Sequence, residues 1–486
     1  MGRGGEIFGS NHRVNPVTGL DALEARFRQD LVWLELPPKS WVIQRRQGGE
    51  PLLDVAIIGA GMAGLTAATA LKFLGIRAVN FDRAPEGFEG PWATTARMET
   101  LRSPKQLTGP CLGFSSLTFR AWFEAQHGQA AWQALDKIPR LQWMDYLRWY
   151  RRMVEPEVRN EHEVLAVEPH ADGRVSLRVR HAGHESTVQA RRVILATGRD
   201  GLGAAWYPDF AQHIPMRLRA HSSDALDYSR LRGLRVAVIG GGASAMDCAA
   251  TALESGAQRV DLLIRRRELP RVNKGKGSGS AGMTHGFVNL PDEWKWRIRH
   301  YVNEQQTPPP RGSTQRVSRH DNARFWLGAS IDEVRTDGST VRLLTPRGEF
   351  EFDFVLFSTG FRVDFTARPE FAAFSSHLRL WGQRYQPESG AHDDELSESP
   401  DLGPAFEFRE RVVGSCPGID RIHCFCYPAT LTHGTVAGDI PAISEGAHRL
   451  AQGLASLFLA EGIEQHFEAI QAFEEPELLG DEWAES

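Results

Sequence analysis

The 486-residue chain is poor in the features that mark several large protein classes. It has five cysteines, an odd number scattered widely, which excludes a disulfide framework and points to a reducing, cytoplasmic setting. No C-x-x-C or C-x4-C pair lies near a nucleotide loop, which argues against dithiol reduction. A formal charge of -5 is small for this length, so neither a nucleic-acid surface nor a polybasic membrane patch is expected. No apolar run reaches the roughly 20 residues of a membrane helix, and "MGRGGEIFGSNHRVNP" has no signal-peptide core. Metal binding is unsupported: His423, Cys424 and Cys426 have no second ligand pair and read as core. With 41% hydrophobic residues the composition is that of an ordinary globular protein of two or three domains.

Two strand–loop–helix–strand units are present. In "VAIIGAGMAGL" an apolar strand runs into Gly59, Gly61 and Gly64, the G-x-G-x-x-G spacing. The first glycine permits the tight turn, the second lets backbone approach a pyrophosphate, and the third lets helix and strand pack closely. The helix N-terminus supplies N–H donors and the positive end of its dipole. The following strand "RAVNF" ends in Asp82, placed to accept a ribose 2′-hydroxyl. The unit therefore reads as a site for a dinucleotide with a free ribose.

The second unit, "VAVIGGGASAMD", keeps the spacing with Gly240, Gly242 and Ala245, and Ser244 lies in the same turn. Its second strand ends in Arg265, Arg266 and Arg267, not in an acid. Guanidinium forks suit a 2′-phosphate, which points to NADPH over NADH. FAD on the first loop and NADPH on the second imply hydride transfer from nicotinamide to flavin.

The expected fold is α/β with two Rossmann-like dinucleotide domains. The expected boundaries are an N-terminal extension over 1–50, FAD domain over 51–205, NADPH domain over 206–345, and a last segment over 346–486. Two strands end in Ala196-Thr197-Gly198 and Ser358-Thr359-Gly360. The basic stretch "RVNKGKGSGSAGMTHGF" reads as a mobile loop, and the acidic segment 386–404 as an exposed one.

These loops and strand ends, with "GPW" at Trp92, "SPKQL" around Lys105 and "HGTVAGDIP" near the C-terminus, resemble the class B flavoprotein monooxygenases. That group includes flavin-containing, N-hydroxylating and Baeyer–Villiger enzymes. The resemblance implies that the NADPH domain is inserted into the FAD domain, which 346–486 completes, with the two Thr-Gly turns at the crossings. It also implies that reduced flavin and molecular oxygen form a C4a-hydroperoxide shielded by bound NADP, and that Trp92, Lys105, Thr359, Gly438 and Asp439 border the cofactors. Two family positions depart. Only His221 remains of the F-x-G-x-x-x-H fingerprint, and Arg102 replaces the asparagine of N-x-P-K. Arg97, Arg102 and His221 are the candidate catalytic residues. Either arginine suits a peroxy anion or a substrate carboxylate, and either equally suits a flavin phosphate or a local acid. The expected reaction oxygenates nitrogen, or sulfur, of a small substrate, with or without a carboxylate. Baeyer–Villiger insertion and a non-oxygenating NADPH–flavin oxidoreductase are the alternatives, and a homodimer is allowed.

Overall fold

The computed structural model describes residues 19–483; residues 1–18 of the expected extension lie outside it. Helix α1 (Leu20–Trp33) precedes the first glycine unit, made of β1 (Leu53–Ile58), α2 (Met62–Lys72) and β2 (Ala78–Phe81). Helices α3 (Phe119–Ala134) and α4 (Arg140–Val154) follow, then β3 (Glu157–Arg159), β4 (Glu163–Pro169), β5 (Val175–His181) and the long β6 (His184–Leu195). Helix α1 is part of the first domain: Leu23 and Phe27 are buried, and the Trp149 indole donates to Glu24 at 3.0 Å.

The crossing strand β7 (Gly203–Ala205) leads to β8 (Arg219–His221) and the second unit, β9 (Arg235–Ile239), α5 (Ala243–Glu254) and β10 (Arg259–Ile264). Helices α6 (Asp292–Gln305) and α7 (Arg311–Ser318) come next. After them lie β11 (Ala323–Leu327), a meander β12–β14 (Glu333–Thr336, Val341–Thr345, Gly348–Phe352) and β15 (Phe354–Phe357). The return crossing is β16 (Phe361–Val363); β17 (Ile422–Cys424) and helices α8 (Ile443–Glu461) and α9 (Ile463–Gln471) close the chain.

The first sheet has seven strands in the order β3-β2-β1-β6-β5-β4, with β17 also pairing β6. Strand β6 serves two neighbours along one edge. Its exposed first half pairs antiparallel with β5, and its buried second half runs parallel to β17. That burial explains the continuous apolar run "VILA", since a parallel strand covered on both faces has no polar side. The second sheet is fully parallel, β8-β15-β9-β10-β11, with one apolar layer under α5 and another under the meander. Both open sheets place their loops at the carboxyl ends of the strands, where doubly wound folds bind ligands.

Helix α2 is almost wholly buried, so its sequence "MAGLTAATALK" has no polar face. Its two threonines satisfy their hydroxyls on Met62 and Leu65 carbonyls one turn back, at 2.6 and 2.7 Å. Helix α8 docks on the first sheet through Glu461. That carboxylate receives Arg191 at 2.9 Å and also pairs with Arg192 and Arg421. Burial opposes ionisation of Glu461, but the Arg192 and Arg421 guanidiniums outweigh it and hold its pKa at about 2.

Two stretches differ from the sequence expectation. Lys274–Ser278 is a short 3-10 helix and Ala281–Gly286 an α-helix, anchored where Arg449 donates to the Thr284 carbonyl at 3.1 Å. Phe287, just beyond, is buried against Gly434. Polar composition hid an apolar anchor at its end. Within 386–404, Asp401 is fully buried and pairs with Arg379 and Arg384, so charge there serves the interior.

Candidate active site

Each glycine loop rests on a backbone carbonyl at a domain crossing. Gly59 has φ +107°, and a Cβ there would lie 2.5 Å from the Ala196 carbonyl oxygen. Gly240 has φ +134°, and its Cβ would lie 2.5 Å from the Ser358 carbonyl oxygen. Both positions require glycine, for conformation and for space. The second glycines are open: a Cβ on Gly242 meets nothing within 4 Å, and one on Gly61 meets only Gly90, at 3.8 Å and beyond. That free space above a helix N-terminus is what a pyrophosphate needs, so both loops fit the dinucleotides expected for them. Gly64 is the packing glycine, since its Cβ would fall 2.1 Å from the Gly59 carbonyl oxygen.

Asp82 is preorganised. Its carboxylate accepts from the Ala60 N–H at 2.7 Å and the Ala84 N–H at 2.8 Å. Beyond these bonds a carboxylate retains lone pairs for a ribose hydroxyl. In the second unit the pairing registers equate Phe81 with Leu263, because each lies opposite the last residue of its first strand. The counterpart of Asp82 is therefore Ile264, and Arg265 stands one residue further on. Arg265 and Arg267 are exposed and Arg266 is half-buried. Among the described residues no carboxylate is paired with any of the three, which leaves their charge available to an anion.

The remaining candidates have definite surroundings. Trp92 is half-buried and packs edge-on to Trp143, 6.5 Å between centroids. Lys105 caps the end of α3, donating to the Trp132 carbonyl at 2.7 Å, Gln133 at 3.2 Å and also Leu135. Arg97 ties the two domains, donating to Thr94 at 2.8 Å and across to Leu226 at 3.3 Å, with its guanidinium over the Tyr228 ring. Arg102 also crosses, reaching Asp247 of α5 at 3.5 Å. His221 is buried beside the second crossing, edge-on to Phe361, with Nδ1 2.8 Å from the Ser223 hydroxyl and Nε2 without a partner. Burial pushes its imidazole toward the neutral form, against the pull of Asp224. The Thr359 hydroxyl donates to the Trp206 carbonyl and so joins the two crossings, while Gly438 and Asp439 are exposed just before α8.

Sequence reasoning did not find Asp247, a buried carboxylate in the "GGGASAMD" loop-helix, nor Arg316, which bonds Glu254 at 2.8 Å and the Arg97 carbonyl at 3.0 Å. Asp247 had a legible signal, an acid on the buried side of an otherwise apolar helix. Arg316 had none.

The family described as pyridine nucleotide-disulphide oxidoreductase matches residues 53–276, the span of both glycine loops. The FAD-dependent urate hydroxylase of Xanthomonas campestris pv. campestris is 39% identical over 463 residues, covering 95% of this chain and 98% of that protein. Among solved structures, the ornithine N-hydroxylase of Kutzneria sp. 744, described with reduced FAD, NADP+ and L-ornithine, superposes with a TM-score of 0.64 at 17% identity, covering 84% of this chain and 99% of that one. The flavin-containing monooxygenase of Stenotrophomonas maltophilia gives 0.55 at 17% identity, covering 83% and 98%. Among the described residues, no helix is long and apolar enough to cross a membrane. The sequence relationship extends almost end to end: the chain belongs to the same family of FAD-dependent hydroxylases, oxidoreductases, and it has the fold shared by the N-hydroxylating and flavin-containing monooxygenases.

Proposed function

We propose that the chain hydroxylates a small, nitrogen-rich and electron-rich compound at the expense of NADPH and molecular oxygen, with urate the first substrate to test. The observation that carries this reading is the 39% identity, across 95% of the chain, to a urate hydroxylase. Bound FAD would supply the oxygen-activating chemistry, in which two electrons from NADPH and one molecule of oxygen give the hydroxylated substrate and water.

The chain's own residues hold and orient the reactants. Gly59, Gly61 and the α2 N-terminus receive the FAD pyrophosphate, and Asp82 receives its ribose. Gly240, Gly242, Ser244 and Ala245 form the corresponding turn for NADPH, and Arg265 and Arg266 clamp its 2′-phosphate. Trp92, Thr359, Gly438 and Asp439 border the flavin. His221, buried beside the second crossing, braces it through Phe361. Arg97 holds the domains in register through the Leu226 carbonyl.

The test is rapid mixing of NADPH-reduced protein with oxygenated buffer, following the flavin spectrum, together with product and peroxide counted per NADPH. With urate, a transient oxygen adduct and one hydroxylated product per NADPH are expected. If amines or ornithine-like substrates are oxygenated and urate is not, nitrogen oxygenation takes its place. Peroxide equal to NADPH consumed with every substrate would overturn the monooxygenase reading for this chain.

A further inference from the structure

The chain has 56 basic residues, and only seven of them are lysines. Three of those seven, Lys105, Lys137 and Lys276, line one cleft of 490 Å³ together with Arg102, and Lys274 lies two residues from its wall. The lining contains a single carboxylate, Asp136, and two amides, Gln106 and Gln133. One wall belongs to the FAD domain, and the other is the Lys274–Ser278 turn carried by the NADPH domain.

The four cations are not equivalent. Lys105 is committed to carbonyls at the end of α3. Lys137 and Lys276 have no hydrogen-bond or ion-pair partner among the described residues, so their ammonium groups are free. Arg102 is held at its inner side by Asp247, 3.5 Å away, while its side chain remains 45% exposed. Asp247 is itself buried, and its Oδ1 has no hydrogen-bond partner among the described residues. A buried carboxylate left half satisfied is costly unless it serves a nearby charge. Here it holds a guanidinium fork at the cleft wall.

We infer that this cleft is a recognition site for a small anion, urate-like or carboxylate, with Arg102 as the bidentate contact, Lys137 and Lys276 as the steering charges, and Asp247 as a positioning residue. The inference rests on the proposed monooxygenase reading for its link to substrate, but its chemistry is testable apart from turnover. A guanidinium fork matches a planar anion's paired acceptors, whereas flexible lysines attract charge without fixing orientation. The arrangement therefore separates capture from alignment.

The test is calorimetric titration of the full, FAD-loaded chain with urate, benzoate and its uncharged isostere benzamide. Both anions should bind more tightly than benzamide, and more weakly as salt is raised. Lys137→Glu with Lys276→Glu should weaken both anions at least tenfold and leave benzamide unchanged. Asp247→Asn should weaken the anions less than Arg102→Ala does, with the KM for NADPH unmoved. FAD content reports whether each variant has folded. Anion affinity that ignores the double reversal, or absence of anion binding in the parent chain, overturns the site. Benzoate binding that follows charge while urate is never oxygenated keeps the site and refutes urate as substrate, so the two failures are distinct.

Discussion

The two glycine loops share a floor and differ in their furnishing. In each, the first glycine lies against the carbonyl that ends a crossing strand, at the same 2.5 Å for a hypothetical Cβ. In the first unit Gly64 leaves room for Asn80, whose amide donates to the Gly59 carbonyl at 2.9 Å. In the second, Ala245 fills that room, and the residue at the Asn80 register position is Leu262, fully buried. The strand ends then diverge: a carboxylate fastened to two loop N–H groups in one unit, and in the other guanidiniums that no carboxylate pairs among the described residues. Steric requirements are common to both loops, and the charge at the rim is where they differ.

The strand under each loop is also secured differently. Strand β6, which leads to Ala196, is clamped by Glu461 against Arg191 and Arg192 in the interior. Asp353, at the foot of β15, pairs with Arg235 at 2.7 Å in a half-exposed position. Glu461→Gln should produce the largest effect, about 3–5 kcal/mol of stability, because it leaves buried Arg192 without a carboxylate and Arg191 with Asp54 alone; chemical denaturation measures it. The sign with pH follows from a lowered carboxyl pKa. The Glu461 contribution is complete above its ordinary value and is lost as pH falls from there toward about 2, and the Gln variant should lack that acid-sensitive component.

Next in size, Gly64→Ala should cost about 1–3 kcal/mol by overpacking and should empty the flavin site, read as FAD per chain. Asp82→Ala removes the acceptor of two N–H groups and should lower FAD occupancy with a stability loss of about 1–3 kcal/mol. Arg265→Ala should raise the KM for NADPH about tenfold, the loss of one charge-assisted contact, with NADH nearly unaffected; equal loss with both would dissolve the distinction between the rims. Smallest, Ala245→Gly should cost only about 0.5–1 kcal/mol and retain NADPH binding, whereas a result as severe as Gly64→Ala would show that the two third positions are not comparable.

Much of this was legible in the chain. The glycine spacings, the apolar strands and the two Thr-Gly turns announce two dinucleotide domains, because those features are local. The register was not: Arg265 aligns one residue beyond Asp82, which depends on pairing with β9 and not on counting from the loop. Lys105 also escaped, since the carbonyls it caps belong to a helix 27 to 30 residues later. Nor did sequence show that Lys137 and Lys276, 139 positions apart by subtraction, face one cleft.

The crossings carry one more consequence. Just past the two Thr-Gly turns, β7 and β16 pair with each other, and Gly203 is packed so closely that a Cβ would fall 1.9 Å from the Arg362 carbonyl oxygen. The two outgoing chains thus form a single ribbon, and the two carbonyls that floor the cofactor loops are its roots. A dinucleotide seated on one loop restrains the same ribbon on which the other loop leans. If that restraint favours binding at the second loop, reciprocity requires each coenzyme to strengthen the other's hold by the same factor, which FAD retention measured with and without NADPH would read.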